Sequence, residues 1–247
     1  MFELPNTDWS MVHLAAEYDG NDAERREAME RLLRRYWPAI FAYIRRTGRD
    51  VHDASDLTQH FISTVLLQRD LPKAADPARG RFRTLLLVAL SNFLRERHRT
   101  ESRQSRMPET GAPSSLHDQH AGDARLPDRA GQSSPEAAFT YQYSATLVRQ
   151  VLERVQMRCQ AEGLEPHWIA FESRVVKPML YGDTPVSLTE LAGRLELESE
   201  AQVSNMIVTV KRRVARAIYE EIENTVADPS DMDDEVRHLM RDLERPA

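Results

Sequence analysis

Six polar side chains between Gln202 and Arg216 are spaced to share one face of a helix: Gln202, Asn205, Thr209, Arg212, Arg213 and Arg216. On the other side, Val203, Ile207, Val210, Val214 and Ile218 recur every three or four residues and form an apolar stripe that anchors the helix. Amides pair with adenine edges, and guanidinium groups hold guanine edges or phosphates, so this face has the chemistry a DNA major groove requires. The same pattern also fits a solvated surface helix. The acids just ahead of it, Glu196, Glu198 and Glu200, repel a phosphate backbone.

The elements that position this face begin at Ser187. Ser187 with Glu190, and Ser199 with Gln202, are two capping-box patterns, each marking a helix start. Between them, Leu188, Leu191, Ala192 and Leu195 give a short first helix one apolar face. The joining turn, Glu196-Leu197-Glu198, lacks the usual glycine. Two helices over Ser187–Ile222 with the polar face on the second make a helix-turn-helix candidate.

Composition sets the frame. The chain has 247 residues, 41% hydrophobic and 29% charged, with only 9 glycines, which favours an all-α globular protein. The net charge of −6 excludes a generally basic nucleic-acid coat, but charge is segregated: 81–106 and 205–218 are basic, and 220–244 is acidic. The lone Cys159 allows no internal disulfide. The opening MFELPNTDWSMV does not read as a signal peptide, and no stretch has the length of a membrane span, so a cytoplasmic protein is expected. No glycine-rich phosphate loop, metal-ligand spacing or nucleophile elbow is present, so no catalytic residue, cofactor or metal is expected.

Taken in order, residues 1–20 read as a lead-in in which Trp9, Val12 and Leu14 pack back on the first domain. A long helix over 22–46 carries Leu32, Leu33, Tyr36, Trp37, Ile40, Phe41 and Ile44, with Pro38 as a potential kink and Gly48 as its stop. A second helix, 53–67, is capped by Asp53 and lined by Leu57, Phe61 and Val65. Asp53 and Asp56 in its first turn either complement the helix dipole or form an acidic knob for a basic partner. A third helix, 82–103, buries Phe82, Leu85, Leu86, Ala89, Phe93 and Leu94 and is otherwise densely basic. Residues 104–135 are rich in Ser, Pro, Gly and Asp and read as a flexible linker. It separates a domain at 1–103 from one at 136–225, with an acidic extension at 226–247 whose Val236, Leu239, Met240 and Leu243 keep helical spacing. In the second domain, Phe139, Tyr143, Leu147, Val151, Leu152 and Val155 line a helix that Gly163 ends. Trp168, Phe171, Val175, Val176 and Met179 line the next.

With both domains in view, the chain resembles the extracytoplasmic-function (ECF) class of sigma factors of bacterial RNA polymerase, in a long form with a C-terminal extension. Three segments carry the resemblance: DASDLTQHF at 53–61, FRTLLLVALSNFLRERHR at 82–99, and Ser187–Ile222. The resemblance implies a sigma-2-like and a sigma-4-like domain and a role in promoter recognition and transcription initiation rather than in catalysis. It assigns Asp53, Asp56 and Gln59 to docking on core RNA polymerase, at the clamp helices of the largest subunit. It assigns Asn92, Arg95 and Arg99 to the −10 element of promoter DNA, and Gln202, Asn205, Thr209, Arg212, Arg213 and Arg216 to the −35 element. Contact with the flap of the second-largest subunit and restraint by an anti-sigma factor are further implied partners. Ser55 stands where the family has an acid, and Leu85 where it often has tryptophan. A phosphate on Ser55 or Thr58 would restore charge to the docking helix. The acidic extension would restrain DNA binding if it folded over 205–218. Two other readings remain open: a polymerase-independent helix-turn-helix regulator, and a helical adaptor that has lost DNA binding.

Overall fold

Leu32, Tyr36, Ile40 and Ile44 are almost wholly buried and lie on one line of a helix, the 3.6-residue period expressed as packing. The computed structural model describes residues 8–16, 22–76, 82–104 and 134–223, together with Val236, Arg237, Leu239 and Arg241. The described chain is all-α, with no strand among those residues. Its helices are α1 (Asp8–Ala16), α2 (Asp22–Arg46), α3 (Val51–Phe61), α4 (Phe82–Gln104), α5 (Pro135–Ala161), α6 (Glu165–Phe171), α7 (Lys177–Tyr181), α8 (Leu188–Arg194) and α9 (Glu200–Glu223). No helix among them is long and apolar enough to cross a membrane.

The chain divides into two compact units, 1–145 with 224–247, and 146–223. The linker expected at 104–135 lies almost entirely outside the described residues, and the division falls inside α5. The reason is local. In the first unit Tyr143 stacks on Tyr36, their centroids 5.3 Å apart, Phe139 is fully buried, and Tyr43 Oη donates to Glu136 Oε1 at 3.2 Å. The first part of α5 is therefore core to that unit.

Within the first unit, α1 packs on α2, with Val12 and Ala15 fully buried. Leu14, expected inside, is instead 39% exposed, because a helix rather than an extended lead-in turns it away from Val12. Pro38 is accommodated within an unbroken α2. α3 runs on into a wide π-helical turn, Ile62–Gln68, which keeps Ile62, Val65 and Leu66 buried. α4 buries Phe82, Leu86, Leu90 and Phe93, whereas Leu85, Ala89 and Leu94 are only half-buried. Leu90, absent from the expected stripe, completes its 82/86/90/93 line.

In the second unit the remainder of the expected α5 line, Leu147, Val151, Leu152 and Val155, is buried, and Cys159 extends it. Gly163 ends the helix in the left-handed region (φ 72°), where Leu164 N–H donates to Cys159 O at 2.7 Å. Between α6 and α7 a second π turn, Glu172–Val176, inserts an extra residue. That rotates the following face, so Met179, expected inside, is 58% exposed, while Trp168, Phe171 and Val176 stay buried. α9 lies mainly against α6 and α8. Its buried line is Val203, Ile207, Val210, Ala217, Ile218 and Ile222, with Val214 only half-buried. The acidic extension lies outside the described residues apart from its four described positions, of which Leu239 is buried.

Candidate nucleic-acid interface

The α8–α9 corner is built by three local devices. Ser187 Oγ accepts from Glu190 N–H at 3.1 Å and caps α8. The return half of that box is not made toward the backbone: Glu190 instead accepts from Arg194 at 2.6 Å, one helical turn on. At the far end, Leu197 N–H donates to Ala192 O at 2.9 Å and Glu196 N–H to Gly193 O at 3.4 Å, a Schellman turn. Glu196 occupies its left-handed position (φ 54°), a conformation that disfavours any residue with a Cβ. At the start of α9 the forward half of the second box is made, and the return bond lands one residue before the cap. Ser199 Oγ accepts from Gln202 N–H at 3.4 Å, and Gln202 Oε1 accepts from Glu198 N–H at 2.9 Å. Thr189 then donates to Glu200 Oε1 at 2.5 Å, tying α8 to the first turn of α9.

These devices leave the predicted face of α9 outward. Gln202, Asn205, Arg212 and Arg216 are exposed, and Thr209 and Arg213 are half-buried. Not all of them are equally available. One lone pair of the Gln202 carbonyl is taken by Glu198 N–H, which leaves its second lone pair and its NH2 group for a base edge. Thr209 Oγ1 donates to Asn205 O at 2.8 Å. Arg213 Nη1 donates to Glu162 Oε2 at 2.6 Å, across a separation of 51 residues. Among the described residues Arg212 and Arg216 have no ion pair.

The Arg213 head lies over the corner between α5 and α6. Burial raises the Cys159 thiol pKa, and Arg213 partly opposes this. Burial also holds His167 below its usual range, and the Arg213 charge lowers it further. Further along α9, Arg154 of α5 donates to Glu221 Oε2 at 2.9 Å and to Ala217 O at 3.3 Å, fixing the second half of the helix. Neither Glu162 nor Arg154 was legible in the local pattern, since both partners lie far away in sequence.

On the first unit, α4 presents Val88, Asn92, Arg95 and Arg99 along one exposed line. Phe93, on its buried side, meets Phe61 edge-on with centroids 5.4 Å apart, and His60 likewise at 5.4 Å. At the start of α4, Phe82 packs edge-on against Tyr36 at 5.5 Å, and the Arg83 guanidinium lies 5.6 Å from the Tyr143 ring centroid. On α3, Asp53, Asp56 and Gln59 are all exposed, while Ala54, Leu57, Thr58 and Phe61 are buried. The cap of this helix is Asp50, whose side chain accepts from Asp53 N–H at 2.8 Å, not Asp53 itself. The Asp-x-x-Asp spacing carried that signal. Thr58 is fully buried and its hydroxyl donates to Ala54 O at 2.7 Å, so it is closed to a kinase, and Ser55 is half-buried. Tyr43 sits above its usual pKa through burial first and the neighbouring Glu136 carboxylate second. Among the described residues no group of three or more His, Cys, Asp or Glu is gathered for a metal ion.

Comparison with models of known protein families, with curated proteins and with solved structures finds no match.

Proposed function

We propose that the chain is an ECF-type sigma factor, which binds core RNA polymerase and directs it to promoters. The observation that carries this reading is the way α3 sorts the DASDLTQHF segment. Its apolar members and Thr58 are buried, and its acid–amide edge, Asp53, Asp56 and Gln59, faces solvent. An acidic edge on a rigid helix suits a basic clamp surface by charge complementarity, which speeds and orients docking. The exposed Asn92, Arg95 and Arg99 line of α4 suits opened DNA, held through its backbone. The α8–α9 pair suits a second promoter element, and joining two weak reading heads in one chain raises the effective concentration of each for its site.

Reconstitution with bacterial core polymerase on a genomic promoter library tests the reading. Run-off transcripts are expected only when this chain and core are both present. Charge reversal at Asp53 and Asp56 should abolish capture of the polymerase's largest subunit while the variant keeps its helical circular dichroism, with at most a small fall in melting temperature from the helix dipole. Failure of the unmodified chain to capture that subunit would sink the proposal. A helical adaptor without DNA binding is the second reading, favoured by the exposed acids Glu196, Glu198 and Glu200 beside the start of α9. Arg212→Ala with Arg216→Ala separates the two. A DNA-binding face loses affinity broadly and about one unit of salt slope per lost phosphate contact, whereas an adaptor changes in neither respect.

A further inference from the structure

Lys211, Arg212, Arg213 and Arg216 bring four cations within two turns of α9, but one of them is spoken for. Arg213 is bonded to Glu162 at 2.6 Å, and the two side chains remain 35% and 50% exposed. Glu162 does not reach there by chance of rotamer alone. It sits at the end of α5, where its own N–H donates to Arg158 O at 3.0 Å and the left-handed Gly163 closes the turn behind it. The carboxylate is thus presented from a fixed corner to the flank of the basic face. An ion pair this exposed is weakly held, because water screens it and both side chains lose freedom to form it. A nucleic-acid phosphate offers Arg213 an equivalent partner and also releases condensed counterions.

We propose that Glu162 is a competitor for DNA phosphate at Arg213, an intramolecular acid that keeps one of α9's cations out of non-specific binding until a backbone displaces it. The inference rests on the reading of α9 as a DNA-contacting helix, and it adds a residue outside that helix which sets the strength of contact. It also gives the acid a role distinct from that of Glu221. The Glu221 partner, Arg154, lies on α5, so that pair braces the helix and withholds no cation of the α9 face.

The test measures binding of the full chain to a short random-sequence DNA duplex by fluorescence anisotropy across a salt series. Glu162→Gln should tighten binding about three- to fivefold at low salt and steepen the salt slope by about one phosphate's worth. The gain should vanish in Glu162→Gln with Arg213→Ala. A gain that survives in that double variant would mean only a general change of field, and would overturn the proposal. So would unchanged binding in Glu162→Gln when Arg212→Ala still weakens it, an outcome that leaves α9 as the DNA face and removes only the role of Glu162. If neither Arg212→Ala nor Glu162→Gln has an effect, the DNA reading of α9 fails and this inference fails with it. Thermal melting of each variant, read by circular dichroism, distinguishes lost contact from lost fold. Arg213→Ala melting early with unchanged DNA binding would make the pair a structural brace and nothing more.

Discussion

α4 and α9 each carry a line of cations on an exposed face, but the two faces are held in place by different means. α4 is pinned through rings: Phe93 against Phe61 and His60, and Phe82 against Tyr36. α9 packs mainly on α6, which buries Trp168, Ala170 and Phe171, and on α8, and is then held by polar ties that draw on the functional face itself. Gln202 ties back to the turn before its own helix, and Arg213 answers Glu162. The lesson is that the number of basic residues along a helix does not measure its capacity to bind a polyanion. What counts is how many of them the fold has already engaged.

The largest test of this contrast is Phe93→Ala. Phe93 is only 7% exposed, and truncating a buried phenylalanine costs about 3 to 5 kcal/mol. Amide hydrogen exchange should show α4 losing protection while α9 keeps it, and Arg212-dependent DNA affinity should be unaltered. Equal loss of protection in both helices would show that the two faces share one source of stability, and the comparison would break.

Much of this was legible because apolar period and burial mostly agree where a helix is regular. Phe139, Tyr143, Leu147, Val151 and Val155 were readable as one line, and all are buried. Leu14 and Val214 depart from the period inside regular helices, and Met179 departs from it where the helix is not regular. Met179 was placed inside by counting threes and fours, but the π turn at Glu172–Val176 breaks that count. Nothing in the local residue types announces a π turn. Capping was readable in kind but assigned once to Asp53, where the structure has Asp50. The polar face of α9 was readable as a set of side-chain types, but the engagement of Arg213 was not. Its partner is brought near only by the packing of α5 and α6 against α9, which no spacing along the chain encodes.

A smaller effect sharpens the comparison at the corner before α9. Glu196 is a non-glycine residue in the left-handed region, at the position that Gly163 fills in the equivalent turn after α5. Glu196→Gly should stabilise the protein by about 1 kcal/mol, read as a higher urea midpoint with an unchanged slope. It also removes one acid beside the start of α9, so DNA affinity should rise slightly. A lower midpoint would mean that the Glu196 side chain makes a stabilising contact that outweighs the backbone strain.

The smallest expected effect is a pH dependence located at the same corner. His167 lies on the first turn of α6, half-buried, with its Nδ1 out of water and without a hydrogen-bond partner among the described residues. Burial holds its pKa below the usual 6.5, and the Arg213 guanidinium adds to that depression. The unfolded chain therefore binds a proton that the folded chain refuses, over the interval between the lowered value and about 6.5. Stability must then rise with pH through that interval and fall as the solution is acidified below the unfolded value. His167→Asn removes the titrating group and should flatten this part of the stability–pH curve in urea titrations. Arg213→Ala should flatten it partially, because burial remains when the charge is gone. A curve that Arg213→Ala leaves unchanged would detach His167 from the α9 face. A curve flattened as fully by Arg213→Ala as by His167→Asn would make charge rather than burial the chief cause. Between those outcomes lies the expected one, in which the residue held by Glu162 also sets part of the acid sensitivity of the α5–α6 corner.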